Sequence, residues 1–287
     1  LASIQVQHFY HQESGTLSYV VSDPATHSAA VIDPVLGFDI VSGRTDSGHA
    51  QAIVSYLQER KMRLQWIFET HAHADHLSAA QAIKASLGGD IAIGAGILAV
   101  RKHFANIFNL PPTAPGGEQF DRLLADDAAV AVGNLPVRVI PTPGHTSDSI
   151  TYLIGDAAFV GDSLFMPDSG TARCDFPGGD AGTLYDSIQS LFALPPATRI
   201  FVCHDYQPDG RALRFETTVR EQVASNIHVG GGRSRADFIA LREKRDATLS
   251  LPKLIVPSIQ VNIRAGKLPP AEDNGIAYLR IPLDRFN

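Results

Sequence analysis

The sequence predicts a mixed α/β (α+β) fold in which two β-sheets pack in the middle and helices lie outside. Two observations predict it. Apolar, β-prone runs recur through both halves of the chain, with helical stretches between them. Four of those runs also deliver a histidine or an aspartate at or just past their ends: His71 after LQWIFE, His145 after VRVI, Asp162 after AAFV and His204 after RIFV. In layered α/β proteins, strand ends and the loops beyond them build the site. At 287 residues the chain is long enough for one large domain or two. The pattern reads as one domain over 1–287, with a helical and extended C-terminal extension from about residue 207.

Taken in order, residues 5–10, 16–22 and 29–32 are apolar or alternating runs and read as strands, with Gly15 and Asp23-Pro24 as turns. Asp33-Pro34 closes the third. Residues 36–47 are mixed and Gly-containing and read as a loop. Residues 50–59 form an amphipathic helix, 64–69 a buried strand, and 77–87 (LSAAQAIKASL) a helix by the spacing of its apolar residues. A short strand at 90–93 and a helix near 95–108 follow. The Pro- and Gly-rich stretch 109–118 reads as a loop. β patterning returns over 128–141. Then come the rigid turn PTPGHT at 141–146, strands at 149–153 and 157–160, and the Gly-, Pro- and Asp-rich loop 167–180. A helix near 184–193 stops at Pro195-Pro196, and a strand at 199–203 delivers His204-Asp205-Tyr206. The tail carries helices near 215–226 and 236–246 and an extended, Pro-marked end.

A hydrophobic share of 44% beside 19% charged residues is an ordinary globular balance, so the chain can bury a core. A net charge of −6 argues against nucleic acid as a partner, since phosphate binding wants a basic face. It leaves room for a local basic pocket that takes a small anion. Two cysteines, Cys174 and Cys203, are too few for a disulfide framework and point to an intracellular, cytoplasmic setting. No apolar run reaches the length of a membrane span. The start LASIQVQHFY lacks a basic segment followed by an apolar one, so no signal peptide is read there.

The densest stretch is Thr70-His71-Ala72-His73-Ala74-Asp75-His76, on the turn between a strand and a helix. Side chains there can converge on one point. Imidazole suits Zn, Cu, Fe and Ni, and the carboxylate adds a hard oxygen ligand. Together with His145, Asp162 and His204, these side chains read as a metal constellation. The remaining histidines, His8, His11, His27, His49, His103 and His228, are scattered and read as structural or surface residues. Cys174 has no neighbour in sequence that would make it reactive, and it is not read as a nucleophile.

THAHADH, TPGHT, Gly161-Asp162 and CHDY, in this order and spacing over about residues 14–206, resemble the metallo-β-lactamase fold superfamily. The resemblance implies a four-layer αββα sandwich with the metal at one edge of the paired sheets. It does not fix the reaction, because one fold hosts many chemistries. Finer features resemble the persulfide dioxygenases, the sulfur dioxygenases of the ethylmalonic encephalopathy protein type: GDSLF at 161–165, GTARCDF at 170–176 and VNIRAG at 261–266. The related glyoxalase II enzymes share the histidine blocks but lack the Arg-x-Asp-Phe pattern. Segments 36–49 and 267–287 read as additions to the simplest dioxygenases.

The finer resemblance implies one Fe(II) per chain, held by His71, His145 and Asp162. His73, Asp75, His76 and His204 would orient those ligands from behind or hold a second metal. It implies glutathione persulfide as a small-molecule substrate, oxidised with O2 to sulfite and glutathione. Two histidines and a carboxylate on one face of an iron leave positions open, as in non-haem Fe(II) oxygenases. Arg173, Asp175 and Tyr206 are the expected substrate-side residues. Arg173 and Asp175 lock the loop beneath the ligands, or Arg173 meets a substrate carboxylate. Tyr206 points toward the same mouth. The alternative is a glyoxalase II-type thiolester hydrolase, in which the same donors hold two zinc ions with Asp162 bridging. Ligand types suit either. Arg214, Arg220, Arg264 and Lys267 are further cations that could meet the tripeptide, with no spacing to choose among them. A homodimer is left open.

Overall fold

The computed structural model describes residues 4–110, 119–126 and 128–285. The chain opens with β1 (Gln5–His11), β2 (Thr16–Asp23) and β3 (Ser28–Ile32). A small hairpin, β4 (Val35–Asp39) and β5 (Arg44–Asp46), precedes α1 (Gly48–Glu59) and β6 (Arg63–Phe68). After the histidine turn come β7 (Leu77–Ser78), α2 (Ala80–Leu87), β8 (Asp90–Gly94), α3 (Ile97–Ile107) and β9 (Arg122–Leu124). Next are β10 (Val130–Val132), β11 (Leu135–Pro141), β12 (Ile150–Ile154), β13 (Ala157–Phe159), α4 (Ala181–Phe192) and β14 (Arg199–Phe201). Last come β15 (Glu216–Thr218), α5 (Val219–Ser225), α6 (Arg235–Asp246) and α7 (Ile255–Asn262). Two six-stranded sheets result, ordered β1-β2-β3-β6-β8-β9 and β10-β11-β12-β13-β14-β15, with a small third sheet β5-β4-β7.

In the first sheet β2, β3 and β8 bury both faces, and β3 and β8 read as near-continuous apolar runs. Tyr19, Val21, Ala30, Ile32, Phe68 and Ala92 face the second sheet, where Val139, Tyr152, Phe159 and Phe201 meet them. Phe68 stacks on Tyr152 at 4.4 Å, and Tyr19 sets its edge against Phe159 at 5.3 Å. Their neighbours one position along, Val20, Val31, Ile67, Ile91 and Ile93, face outward into a second apolar cluster with α1, α2, α3 and α7. α1 shows how that cluster is read from sequence: Ala50, Ile53, Val54 and Leu57 recur at helical spacing and are the residues it buries. No described helix is long and apolar enough to cross a membrane.

The structure corrects four local expectations. Residues 36–47 are a hairpin rather than a loop, paired Gly37 to Asp46, Phe38 to Thr45 and Asp39 to Arg44. All three residues of β5 are exposed, so it carries no apolar pattern to read. The helix expected from residue 77 begins at Ala80, because Leu77 and Ser78 pair with Leu36 and Val35 instead. The helix expected from 215 yields its first turn to β15. β-branched Thr217 and Thr218 suit a strand there, and Thr218 then caps α5 by accepting from the Glu221 N–H at 3.2 Å. The tail expected to be extended contains α7. Its Pro257 stands in the first turn, where a missing N–H removes no helical hydrogen bond. Of the loop expected at 109–118, residues 111–118 lie outside the described residues.

Candidate metal centre

The histidine turn leaves β6 at Glu69 and is pinned before it reaches His71. Asp33, at the end of β3, accepts from the Thr70 N–H at 2.7 Å and from the Thr70 hydroxyl at 2.9 Å. The Thr70 oxygen lies 3.0 Å from His71 Nδ1. Asp148 accepts from the Ala72 N–H at 2.8 Å. At the far end, Asn262 of α7 donates to the carbonyls of His73 and His76, each at 2.8 Å, and accepts from the Ser78 N–H. The turn carrying His145 needs Gly144. Its φ is +136°, and a Cβ there would stand 2.3 Å from Leu184 Cα.

These supports bring donors from both sheets to one point. His71 Nε2 and His145 Nε2 lie 3.9 Å and 3.6 Å from Asp162 Oδ2. His204 Nε2 lies 3.3 Å from Asp162 Oδ1 and 3.5 Å from Asp75 Oδ2. Donor atoms of His71, His145 and Asp162 fall within 4.8 Å of one another; so do those of His73, Asp75 and His76, and those of Asp162, Cys203 and His204. His73 also forms such a group with Asp33 and Cys203, its Nε2 standing 3.0 Å from Asp33 Oδ1. Four rings are turned by their Nδ1 atoms: His71 by Thr70, His76 by Asp75 and Thr16, His145 by the Arg173 carbonyl at 2.7 Å, and His204 by the Gly15 carbonyl at 3.2 Å. Each is left with Nε2 free to face inward.

The chemistry of this donor set fits a metal. His76 Nε2, His204 Nε2, both ring nitrogens of His73 and Asp162 Oδ1 are buried without an aligned hydrogen-bond partner, a costly arrangement unless something else meets them. Burial, then neighbouring His73, drives the His71 imidazole well below its usual range; burial and His76 do the same to His73. Burial works to raise the Asp162 carboxyl, but His204, His71 and His145 outweigh it and hold the group below the usual carboxylate range. Asp75 follows suit, burial being outweighed by His204 and His76. Neutral imidazole and ionised carboxylate are the forms that bind metal; His204 runs the other way, since burial lowers it but Asp162 and Asp75 outweigh burial and raise it.

The sequence model of the metallo-beta-lactamase superfamily matches residues 12–204, two thirds of the chain and all of the donors. The chain belongs to this superfamily. Among its relatives, a probable metallo-hydrolase of Burkholderia pseudomallei is 48% identical, covering 97% of this chain and 99% of its own length. Glyoxylase B2 of Dictyostelium discoideum is 47% identical, covering 98% and 97%. The mitochondrial persulfide dioxygenase ETHE1 of Homo sapiens is 29% identical over 94% of this chain and 91% of its own. The crystal structure of ETHE1 from Myxococcus xanthus superposes with a TM-score of 0.74 at 31% identity, covering 92% of this chain and all of that one. The chain spans 65% of a beta-lactamase hydrolase-like protein of Xylella fastidiosa.

In this member of the metallo-β-lactamase superfamily a cleft of about 700 Å³ opens over the donors. His76, His145, Asp162 and His204 form part of its lining. Phe165, Phe176 and Tyr206 add aromatic walls, Tyr206 lying parallel to His204 at 5.7 Å. The cations of the lining are Arg173, Arg242, Arg245 and Lys253; none of Arg214, Arg220, Arg264 and Lys267 is among them. The β4–β5 hairpin overhangs one side through Phe38 and Ile40. His11, expected to be structural or at the surface, is also part of the wall.

The loop 170–176 is clamped by the C-terminal segment. Arg242 and Asp246 of α6, 1% and 5% exposed, form a buried ion pair. Arg242 donates to the Thr171 carbonyl at 3.1 Å, and Asp246 accepts from the Cys174 N–H at 2.9 Å. Asn226 donates to the Gly170 carbonyl at 3.0 Å. Arg173 closes a two-pronged contact on Asp175, with both distances 2.6 Å, and donates to the Ser250 carbonyl at 2.7 Å. Its side chain is thus committed to the loop, while its main-chain carbonyl steadies His145. Burial pushes the Cys174 thiol up to about 12, which keeps it an unreactive thiol.

Arg173→Lys is expected to keep the fold and most of the bound metal, because the contact to His145 is through the backbone. Lysine loses the planar fork on Asp175. The lost charged contact costs on the order of 1.5–3 kcal/mol, roughly one to two decades in kcat/KM. Steady-state kinetics beside metal content check it. A fall in kcat marks a loop that positions ligands, and a rise in KM alone marks a substrate contact. Unchanged kinetics in a fully metal-loaded variant would reduce Arg173–Asp175 to a surface pair.

Proposed function

We propose that this chain is a persulfide dioxygenase of the metallo-β-lactamase superfamily, acting on glutathione persulfide. The reading is carried by one observation: the donor atoms of His71, His145 and Asp162 lie within 4.8 Å of one another, and His73 falls outside that group with its Nε2 3.0 Å from Asp33 Oδ1. Two histidines and one carboxylate would hold a single ferrous ion, which, when bound, supplies open coordination positions and activation of O2. Glutathione persulfide, O2 and water give glutathione, sulfite and two protons. Both O2 atoms go to the terminal sulfur, and water supplies the third sulfite oxygen.

The rest is the work of the chain itself. Thr70 and the Arg173 carbonyl fix the ring orientation of His71 and His145, leaving Nε2 of each as the ligand atom. Phe165 and Phe176 shield the reacting sulfur from bulk water, and Tyr206 flanks the glutathione moiety at the mouth. Arg245 and Lys253, also in the lining, suit the carboxylates of a tripeptide. We assign the whole chain to one domain, with the segment from about 207 as the brace of the 170–176 loop.

A second reading is favoured by the other donor groups. His73, Asp75 and His76, and Asp162, Cys203 and His204, could take part in a two-metal site. In that reading the chain hydrolyses a glutathione thiolester, as the likeness to Glyoxylase B2 suggests. Metal analysis of protein from an iron-sufficient culture, beside oxygen uptake with glutathione persulfide, separates the two. One iron per chain and oxygen uptake with the persulfide but not with glutathione are expected. Two zinc ions, with rapid S-lactoylglutathione hydrolysis and no oxygen uptake, would sink the dioxygenase reading.

A further inference from the structure

We propose that the β4–β5 hairpin gives the cleft a subsite for an apolar arm, so that the chain takes sulfur carriers in which such an arm stands beside a carboxylate. The proposal rests on the reading of the cleft as the place where a thiol-bound sulfur reacts, and it names the class of thiol for either chemistry. Leu36, Phe38 and Ile40 alternate along β4 and into its turn, and all three line the cleft. Residues two apart in a strand share a face, so these side chains form one strip. Its inner end lies beside the donors, because Leu36 pairs with Leu77, the neighbour of His76. Its outer end is Ile40, 52% exposed. At the rise of an extended chain the strip runs about 13 Å from the histidine turn towards solvent.

The strip is held in place before anything binds. The Asp39 side chain accepts from the Val41 N–H at 2.8 Å, and its carbonyl accepts from the Gly43 N–H at 2.8 Å, so the tip is a closed turn. Pairing of Gly37 with Asp46 and of Phe38 with Thr45 fixes the strand behind it. A wall already ordered loses little freedom when a ligand covers it. Leu249, Pro252 and Leu254, from the segment after α6, add further apolar lining. Glutathione carries charged groups at both ends and no apolar arm, so nothing in it matches Phe38 and Ile40. The charges of the lining direct the rest of the carrier. Asp39 is the hairpin's charged residue in the lining and repels a carboxylate, whereas Arg245 and Lys253, elsewhere in the lining, attract one. A thiol with its arm on the hairpin and its carboxylate at these cations satisfies both. Apolar walls with a few placed polar groups are the usual make-up of a site that orients a small molecule.

The test compares the persulfides of N-acetylglutathione and N-octanoylglutathione, which differ only in the apolar chain, or the matching S-lactoyl pair if the native chain turns over thiolesters. The longer arm should lower KM by roughly tenfold or more, since each buried methylene is worth about two- to fourfold. In Phe38→Ser and Ile40→Ser the ratio of the two KM values should fall towards one, whatever happens to the turnover of both substrates. Equal KM values in the native chain overturn the subsite. So does a gain that survives in both variants, because the arm then lies elsewhere, for instance on the exposed Ile281 and Leu283. Should Phe38→Ser fail to fold, Ile40→Ser, at the exposed turn, decides. If the native chain turns over neither pair, the proposed function fails, and calorimetric titration with the N-acetyl and N-octanoyl forms of S-methylglutathione decides the subsite separately. Tighter binding of the octanoyl form that is lost in Ile40→Ser supports it. Equal affinity, binding of neither, or a gain kept in Ile40→Ser overturns it.

Discussion

Asp162→Ala is expected to abolish metal binding and activity together. This carboxylate lies within 3.9 Å of the Nε2 atoms of His71, His145 and His204, so it is the anion about which the donors from both sheets gather. Without it, the buried Nε2 atoms of His71 and His145 lose the carboxylate that stands between them. Replacing the support of a ligand already costs roughly 10- to 100-fold in metal affinity, and loss of the ligand itself should cost more. His71→Ala and His145→Ala should behave alike, whereas His73→Ala should keep more metal. Metal content per chain of the four variants, measured beside turnover, checks the ranking. Full metal in Asp162→Ala would remove it from the ligand set. Metal in His73→Ala as low as in His71→Ala would bring His73 into that set and favour the two-metal reading.

The largest effect on stability should come from Asp246→Ala. It strands the Arg242 guanidinium, 1% exposed, and frees the Cys174 N–H at the same stroke. Breaking a buried ion pair by removing one partner costs about 3–5 kcal/mol, because the other charge is left uncompensated. Replacing both partners by apolar residues removes that penalty, so Arg242→Met with Asp246→Leu should recover much of the stability. The double variant still lacks the contacts to Thr171 and Cys174, so the loop that steadies His145 should stay loose and turnover stay low. Chemical denaturation of the single and double variants, with kinetics of each, would separate the two roles. Native-like stability of Asp246→Ala would leave the pair without the bracing role assigned to it.

How much of this was legible in the sequence varies with the length of the interaction. The donors were legible because each follows an apolar strand, and strand ends converge in a layered fold. The same rule, carried through, also reaches Asp33 at the end of β3 and His11 at the end of β1. In the sequence alone the first reads only as the close of a strand and the second as a scattered histidine. Asn262 lay inside the VNIRAG motif, yet only the packing of α7 on the histidine turn gives it a task. Arg242 and Asp246 were hidden for another reason. Spaced by four on a helix, they look like an ordinary exposed pair, and nothing local indicates that the 170–176 loop covers them. The β4–β5 hairpin escaped because its second strand is entirely polar and exposed, so its pairing leaves no periodic trace.

The donors come from two sheets that meet at this edge through hydrogen bonds, among them the Ile150 N–H to the Thr70 carbonyl at 3.0 Å and the Tyr152 hydroxyl to the Glu69 carbonyl at 2.9 Å. Leu17 N–H donates to the Cys203 carbonyl at 2.7 Å, and Thr16 pairs with His204 in an isolated bridge. On the ligand set proposed above, a bound ion ties the turn after β6 to the loops after β11 and β13, and so acts as a clasp between the halves. Parting of the halves then requires release of the ion. A ligand bound only by the folded form adds about 2.7 kcal/mol when its free concentration is a hundred times its Kd. The working lifetime of the chain against heat and proteases is thereby tied to the metal supply around it, so a starved cell would hold less of the protein as well as less of its activity.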